Sequence, residues 1–120
     1  GSGMTYDSGM KHRLVFRASD RAEFQTIADG RKTIETRAAT PKYRKVAVGD
    51  ELVIRCGTEE VTRVVKRVEI YFSIDELLAG VGLNNVMPLV ENVEQAKQEW
   101  YSYPGYRDKI AQHGLVAWYI

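Results

Sequence analysis

The sequence predicts an α+β domain: a small mixed or barrel-like sheet of five to six strands, with short helices inserted at its ends. Three observations predict it. Several segments alternate polar and apolar residues with period two, as half-buried strands do. Between them lie short stretches opened by helix-capping residues and closed by glycine. The chain has 120 residues, 44% of them hydrophobic and 28% charged, which is room for one hydrophobic core and not comfortably for two. This composition excludes a disordered chain, a collagen-like chain and a disulfide scaffold. No apolar run approaches the roughly 18 residues that a membrane span requires, so no membrane partner is expected.

Gly1-Ser2-Gly3 ahead of Met4 reads as a cloning remnant, residues 1–10 as that remnant with a flexible start, and residues 11–120 as a single domain. No basic, apolar, small-residue leader follows, so the expected location is cytoplasmic. Lys11 to Arg17 alternates, with His12, Leu14 and Phe16 on one face and Arg13, Val15 and Arg17 on the other, and reads as a strand. Asp20-Arg21-Ala22-Glu23 has the form of a capping box opening a short helix. Its apolar contacts are expected from Ala22, Phe24, Ile27 and Ala28, and Gly30 stops it. Lys32 to Ala39 reads as a second strand, placing Thr33, Glu35, Arg37 and Ala39 on one face and Ile34, Thr36 and Ala38 on the other. Pro41-Lys42-Tyr43-Arg44 reads as a loop, and Gly49-Asp50 as a turn into the strand Glu51 to Cys56.

Gly57 to Glu60 then turns back into a long strand, Val61 to Phe72, whose apolar phase slips near Val64-Val65, where a bulge is expected. Ser73-Ile74-Asp75-Glu76 is a second capping box, and Asn92 caps a further helix to about Trp100 with Val93, Ala96 and Trp100 inward. Tyr103-Pro104-Gly105-Tyr106 breaks that helix. A short helical turn to Gln112 follows, and after Gly114 the run Leu115 to Ile120 reads as a central strand.

The single cysteine, Cys56, sits in a strand-like run and is expected to be a buried, inert thiol. His12 and His113 have no partner at ligand spacing, so neither a metal nor a cofactor is expected. Net charge is only +1, yet it is unevenly spread. Residues 31–45 carry a net +5 and residues 68–99 a net −5. The basic segment fits either a phosphate-attracting face or a solvated loop.

The most informative stretch runs from Gly30 to Arg37. Glu35 and Arg37 share one strand face, with Lys32 at the strand's mouth. Two charged groups there need partners if buried, so the trio reads either as an ion-pair network or as the lining of a polar cleft. In a cleft, Lys32 and Glu35 could exchange protons while Arg37 holds an anionic or carbonyl oxygen. The tyrosines leave a similar choice. Tyr101, Tyr103 and Tyr106, beside Arg107, fit either half-buried cover for the barrel end or a stacking platform for bases, with Tyr103 and Tyr106 the two to test.

The pattern Gly-x-Lys-x-x-Glu-x-Arg, carried by Gly30, Lys32, Glu35 and Arg37, resembles the signature of the ASCH domain, the activating-signal-cointegrator homology family of the PUA-like superfamily. The strand and helix before it, the Gly49-Asp50 turn and the closing Gly114 to Trp118 strand extend the resemblance from about Lys11 to Ile120. The resemblance implies a PUA-like β-barrel with helices at its openings and a cleft that receives RNA or a nucleobase. Lys32, Glu35 and Arg37 would line that cleft, Gly30 would shape its edge, and Lys42, Tyr43 and Arg44 would sit nearby; by their own chemistry, two cations flanking an aromatic, these three fit a phosphate-contacting arm. Some small bacterial relatives are amidohydrolases of N4-acetylcytidine that use the motif lysine, a threonine three residues later and a later glutamate. Here Lys32 is kept and Glu35 stands where that threonine would, with Thr33 and Thr36 close by. Other relatives are reported as ribonucleases. The expectation is therefore a monomeric RNA- or nucleobase-binding domain, with a hydrolase using Lys32 and Glu35 as acid and base the alternative.

Overall fold

A computed structural model describes residues 9–120, so the expected cloning remnant, and most of the expected flexible start, lie outside the described residues. The first strand, β1 (Lys11–Phe16), pairs in parallel with β3 (Glu51–Cys56), placing Leu14 opposite Ile54. β3 pairs antiparallel with β4 (Glu59–Val64), which completes one three-stranded sheet in the order β1-β3-β4. The second sheet has the order β2-β6-β5, from β2 (Ile34–Ala38), β6 (Leu115–Tyr119) and β5 (Arg67–Tyr71), all antiparallel. The class is α+β, as the sequence predicts, with β6 central in its sheet.

The long strand expected from Val61 to Phe72 is in fact two strands in different sheets. Between them the Val65 N–H donates to Asp50 O (2.8 Å), beside the first sheet, and the Lys66 N–H donates to Tyr119 O (2.7 Å), in the second. The slip in apolar phase marks this transfer and not a bulge: Val65 is buried at the corner because the chain changes sheets there. β6 is buried on both faces. Val116 and Trp118 join Leu14, Phe24, Leu52 and Ile54 in one core, and Leu115 and Ala117 join Ile34, Leu77, Val86 and Trp100 in another. A strand between two cores reads as a continuous apolar run, which is what Leu115 to Trp118 is.

The helices are α1 (Arg21–Ala28), α2 (Pro41–Arg44), α3 (Ile74–Val81), α4 (Leu83–Val86), α5 (Val93–Tyr101) and α6 (Tyr106–His113). Ser73 accepts from the Glu76 N–H (3.1 Å) and Asn92 from the Gln95 N–H (2.9 Å), so both of these expected caps form. The expected cap at Asp20 does not. A 3-10 turn, Ala18–Asp20, precedes α1, and the Asp20 carboxylate instead takes the Arg17 Nε–H at 2.7 Å. The inward residues of α1 are Phe24, Thr26 and Ile27, while Ala22 and Ala28 are exposed. Val93 is likewise exposed, because α5 turns Ala96 and Trp100 inward. The expected loop at Pro41 to Arg44 is one helical turn, with Pro41 in its first turn, where a missing N–H costs nothing. Cys56 is buried and unpaired. Among the described residues no helix is long and apolar enough to cross a membrane.

Gly114 joins α6 to β6 at φ 79° and ψ −166°, a backbone region open essentially to glycine alone. A Cβ there would run into the Tyr71 carbonyl oxygen, whereas one at Gly30, also at positive φ, would meet nothing within 4 Å. Gly114→Ala is therefore expected to lose at least about 2 kcal/mol in urea unfolding, and Gly30→Ala about 1 kcal/mol. Equal losses would contradict the packing argument.

Candidate functional site

β2 pairs with β6 along one edge only, and its free edge faces a cleft. Side chains satisfy the backbone there: the Thr36 N–H donates to Glu35 Oε1 (2.8 Å) and the Ala38 N–H to the Tyr106 hydroxyl (3.3 Å). The cavity measures about 360 Å³, within the range of small-molecule sites. Charged and polar groups from α1, the α1–β2 connection and β2 form its floor, and aromatic rings from β1, α2, α5, the α5–α6 connection and α6 form its walls.

Lys32 organises the floor. Its backbone N–H donates to Thr26 O (2.9 Å), tying the chain after Gly30 to α1. Its ammonium donates to Val86 O (2.5 Å) at the end of α4, and lies 3.5 Å from Glu23 Oε1 and 3.7 Å from Glu35 Oε1. The Lys32 side chain is 3% exposed and that of Glu35 5%, so these charges are nearly removed from water. Arg37 adds a second cation, with Nη2 3.7 Å from Glu35 Oε2. Neither Glu23 Oε1 nor Glu35 Oε2 accepts a hydrogen bond, so the floor balances charge by proximity and keeps acceptor capacity unused. Burial pushes the Glu23 carboxyl above its usual range; Lys32 opposes that shift and Glu35 adds to it. Thr36 completes the floor, its hydroxyl accepting from Trp100 Nε1–H (3.1 Å).

The walls are aromatic rings in contact with one another and with guanidinium groups. Tyr103 and Tyr106 meet edge to face at 5.2 Å, and the Arg17 guanidinium lies 4.5 Å from the Tyr103 ring centre. Arg37 lies 5.6 Å from the Phe16 ring. Burial, with Asp20 and Glu99 nearby, raises the Tyr103 hydroxyl above its ordinary value. Burial also raises Tyr106, partly offset by the bond from the Ala38 N–H. Both hydroxyls therefore stay neutral and serve as hydrogen-bonding groups.

Of the residues singled out from sequence, Lys32, Glu35, Arg37, Tyr43, Tyr103 and Tyr106 all line this cleft. Gly30 does not: it is exposed, ends α1 at φ +88° and shapes the backbone entering the floor. Lys42 stands outside the cleft, 5.3 Å from the Tyr43 ring. Arg44 is spent on the fold, donating to Ala39 O (2.7 Å) and His113 O (2.8 Å), which fastens the ends of β2 and α6 together. Tyr101 stacks with Arg107 at 4.0 Å, and neither residue lines the cleft. Sequence reasoning missed Glu23, Phe16, Arg17 and Trp100 as cleft residues. Glu23 carried a usable signal: it lies four residues before Ile27, on the same inward helix face.

A family model described as the ASCH domain matches residues 22–120. The crystal structure of hypothetical protein PH0355 resembles this fold with a TM-score of 0.80 and 25% identity, over 92% of this chain and 96% of that one. The solution NMR structure of protein PF0455 from Pyrococcus furiosus does so with a TM-score of 0.71 and 29% identity, over 92% and 94% respectively. No curated protein matches the chain.

Replacing Lys32 by methionine would leave two buried carboxylates facing each other, and is expected to destabilise the fold by about 3–5 kcal/mol in chemical denaturation. Glu23 adds a pH signature. Its folded pKa lies above the unfolded value of 4.5, so the folded state holds this proton more tightly. The stability it contributes is present at low pH and is lost as pH rises from 4.5 through the folded pKa. Thermal melts of wild type and Glu23→Gln across pH 4–7 should show a steeper loss with rising pH in wild type. Parallel curves would remove Glu23 from the network.

Proposed function

The chain belongs to the ASCH-domain family, and from that premise we propose that it binds RNA by receiving an unstacked nucleobase in the cleft. One observation carries this reading: an aromatic wall, Tyr103 and Tyr106 with Arg17 stacked on it, faces a buried polar floor of Lys32, Glu35 and Arg37. A base needs both halves of that arrangement. Its π-face stacks on a ring, and its edge pairs with groups that offer donors and acceptors. Arg37 supplies donors for a carbonyl oxygen, and the Tyr103 hydroxyl, which donates to Glu99 Oε1 (3.3 Å), keeps acceptor capacity for an amino or ring N–H; Glu23 Oε1 and Glu35 Oε2 are sealed beneath the surface and set the charge of the floor. A duplex cannot reach this floor, so single-stranded RNA or a flipped base is the form that fits.

Fluorescence anisotropy of labelled single-stranded RNA, at low and moderate salt, tests the reading. Wild type should bind, and the affinity should fall as salt rises, because phosphate contacts release counterions. Tyr103→Ala should weaken binding by about five- to a hundredfold, the worth of one stacked base. Arg37→Ala should weaken it as well. Binding that survives both substitutions, or none at low salt, would sink the reading.

A second reading, hydrolysis of a modified nucleoside or of RNA with Lys32 and Glu35 as acid and base, draws support from the Glu23 carboxyl. Raised above its usual range beside Lys32, it is a further proton-exchanging group at the floor. Turnover of N4-acetylcytidine or of an RNA oligomer that is lost in a folded Glu35→Gln variant would favour catalysis. Turnover unchanged in that variant would rule out the role given to Glu35.

A further inference from the structure

Beside the cleft, on the far side of Tyr43, runs a second groove of about 270 Å³, lined by Lys11, His12, Arg13, Lys42, Tyr43 and Lys45. Two elements far apart in sequence, β1 and the α2 segment, supply its cations. Lys11, Lys42 and Lys45 form no ion pair among the described residues, and Arg13 has only a loose contact, 4.0 Å to Glu60. The other cations of the basic segment are occupied: Arg31 on Asp29, Lys32 and Arg37 on the buried carboxylates, Arg44 on backbone carbonyls. The uncommitted charge of residues 31–45 is therefore gathered at Lys42 and Lys45.

A structural explanation covers only part of this. β1 is an edge strand, and edge strands carry lysine and arginine to discourage pairing with another chain, which would account for Lys11 and Arg13. It does not account for Lys42 and Lys45, which stand on another segment and face the same groove. Apart from the loose Arg13–Glu60 contact and Asp50, which is held by His12, no carboxylate among the described residues is paired with these four charges, and like charges gathered in this way attract a polyanion.

The groove is also firmly held. His12 Nε2 lies 2.8 Å from Asp50 Oδ2, and Asp50 accepts from the Ala47 N–H at 3.0 Å, which links β1 to the end of the α2 segment. The Tyr43 ring packs edge to face on Trp118 at 5.8 Å, and the Arg44 clamp holds the same helical turn. The cations thus project from a rigid base, and Tyr43 is common to groove and cleft.

We propose that this groove is a phosphate track, holding the sugar–phosphate backbone of the single-stranded RNA whose base occupies the neighbouring cleft. The inference rests on the reading above and deepens it: the ligand is a polynucleotide strand and not a free nucleoside. Phosphate contacts set the position of a strand while base contacts choose its sequence, and the two grooves divide those tasks.

The test uses Lys42→Ala/Lys45→Ala and Lys11→Ala/Arg13→Ala. None of these four side chains makes a bond that the fold needs. Two ligands are titrated by calorimetry or anisotropy: labelled single-stranded RNA of eight nucleotides, and a set of nucleoside 5′-monophosphates. Each double variant should weaken the RNA about tenfold or more at low salt. It should also flatten the dependence of log affinity on log salt by about 0.7 per phosphate contact removed. Monophosphate binding in the cleft should change less than about twofold. RNA affinity and salt slope equal to wild type in both variants would overturn the track while leaving the cleft reading intact. RNA that fails to bind wild type at all would overturn both. Equal weakening of RNA and monophosphates would also overturn the track, since the cations would then act on the cleft.

Discussion

One buried ammonium joins the segments from which the cleft is made. Lys32 reaches Val86 O on α4, Glu23 on α1 and Glu35 on β2, and its own N–H is tied to Thr26 on α1. Removing such charges from water costs several kcal/mol per ion, and the cost is met only when opposite charges and hydrogen bonds converge, as they do here. Well-packed apolar side chains would hold the same segments together as firmly. What they would not do is build a cleft floor on two cations and two carboxylates. The network thus has a structural effect, the seating of β2, and a chemical one, a polar floor in a site otherwise walled by rings.

The seating of β2 depends in turn on how β6 divides the interior. Val116 and Trp118 face the core that spans the two sheets, and Leu115 and Ala117 face the core beneath the helices. The cleft opens where these cores meet. Trp100, from the helical core, donates to Thr36 on β2, and Tyr43, from the other, packs on Trp118. A ligand in the cleft would rest against residues braced by both cores, and rigid support of this kind keeps a small set of polar contacts in geometry.

What was legible in the sequence was what local chemistry decides. Ser73 and Asn92 cap their helices because the N–H groups they satisfy lie three residues away, with no competing partner nearby. The spacing of Lys32, Glu35 and Arg37 likewise pointed to one charged cluster, and the structure brings the three together. The readings that failed are those where another partner, near or distant in sequence, outcompetes the expected one. Asp20 and Glu23 have the pattern of a capping box, but Arg17 takes the first and Lys32, nine residues on, draws the second. The apparent bulge at Val64-Val65 is a change of sheet, set by Asp50 and Tyr119, neither of them near in sequence. Lys11 and Arg13 gave no sign of belonging with Lys42 and Lys45. Their proximity follows from how β1 and the α2 segment are seated, and no periodicity encodes that.

Charge makes the same point about function. A net +5 over residues 31–45 suggests one basic face, yet the fold sends its charges in four directions, the first being Arg31, which pairs with Asp29 at the surface. Lys32 and Arg37 turn inward and are paired with buried carboxylates. Arg44 is consumed by backbone carbonyls. Lys42 and Lys45 turn outward and join Lys11 and Arg13, so the unpaired positive charge of this segment lies outside the cleft. A cleft whose buried cations are paired with carboxylates would discriminate by hydrogen-bond geometry more than by charge. A groove of uncompensated cations does the reverse: it attracts any polyanion and reads none of its bases. Placed on either side of Tyr43, the two would, on the proposed reading, meet the complementary requirements of holding a strand by its backbone and selecting it by one base.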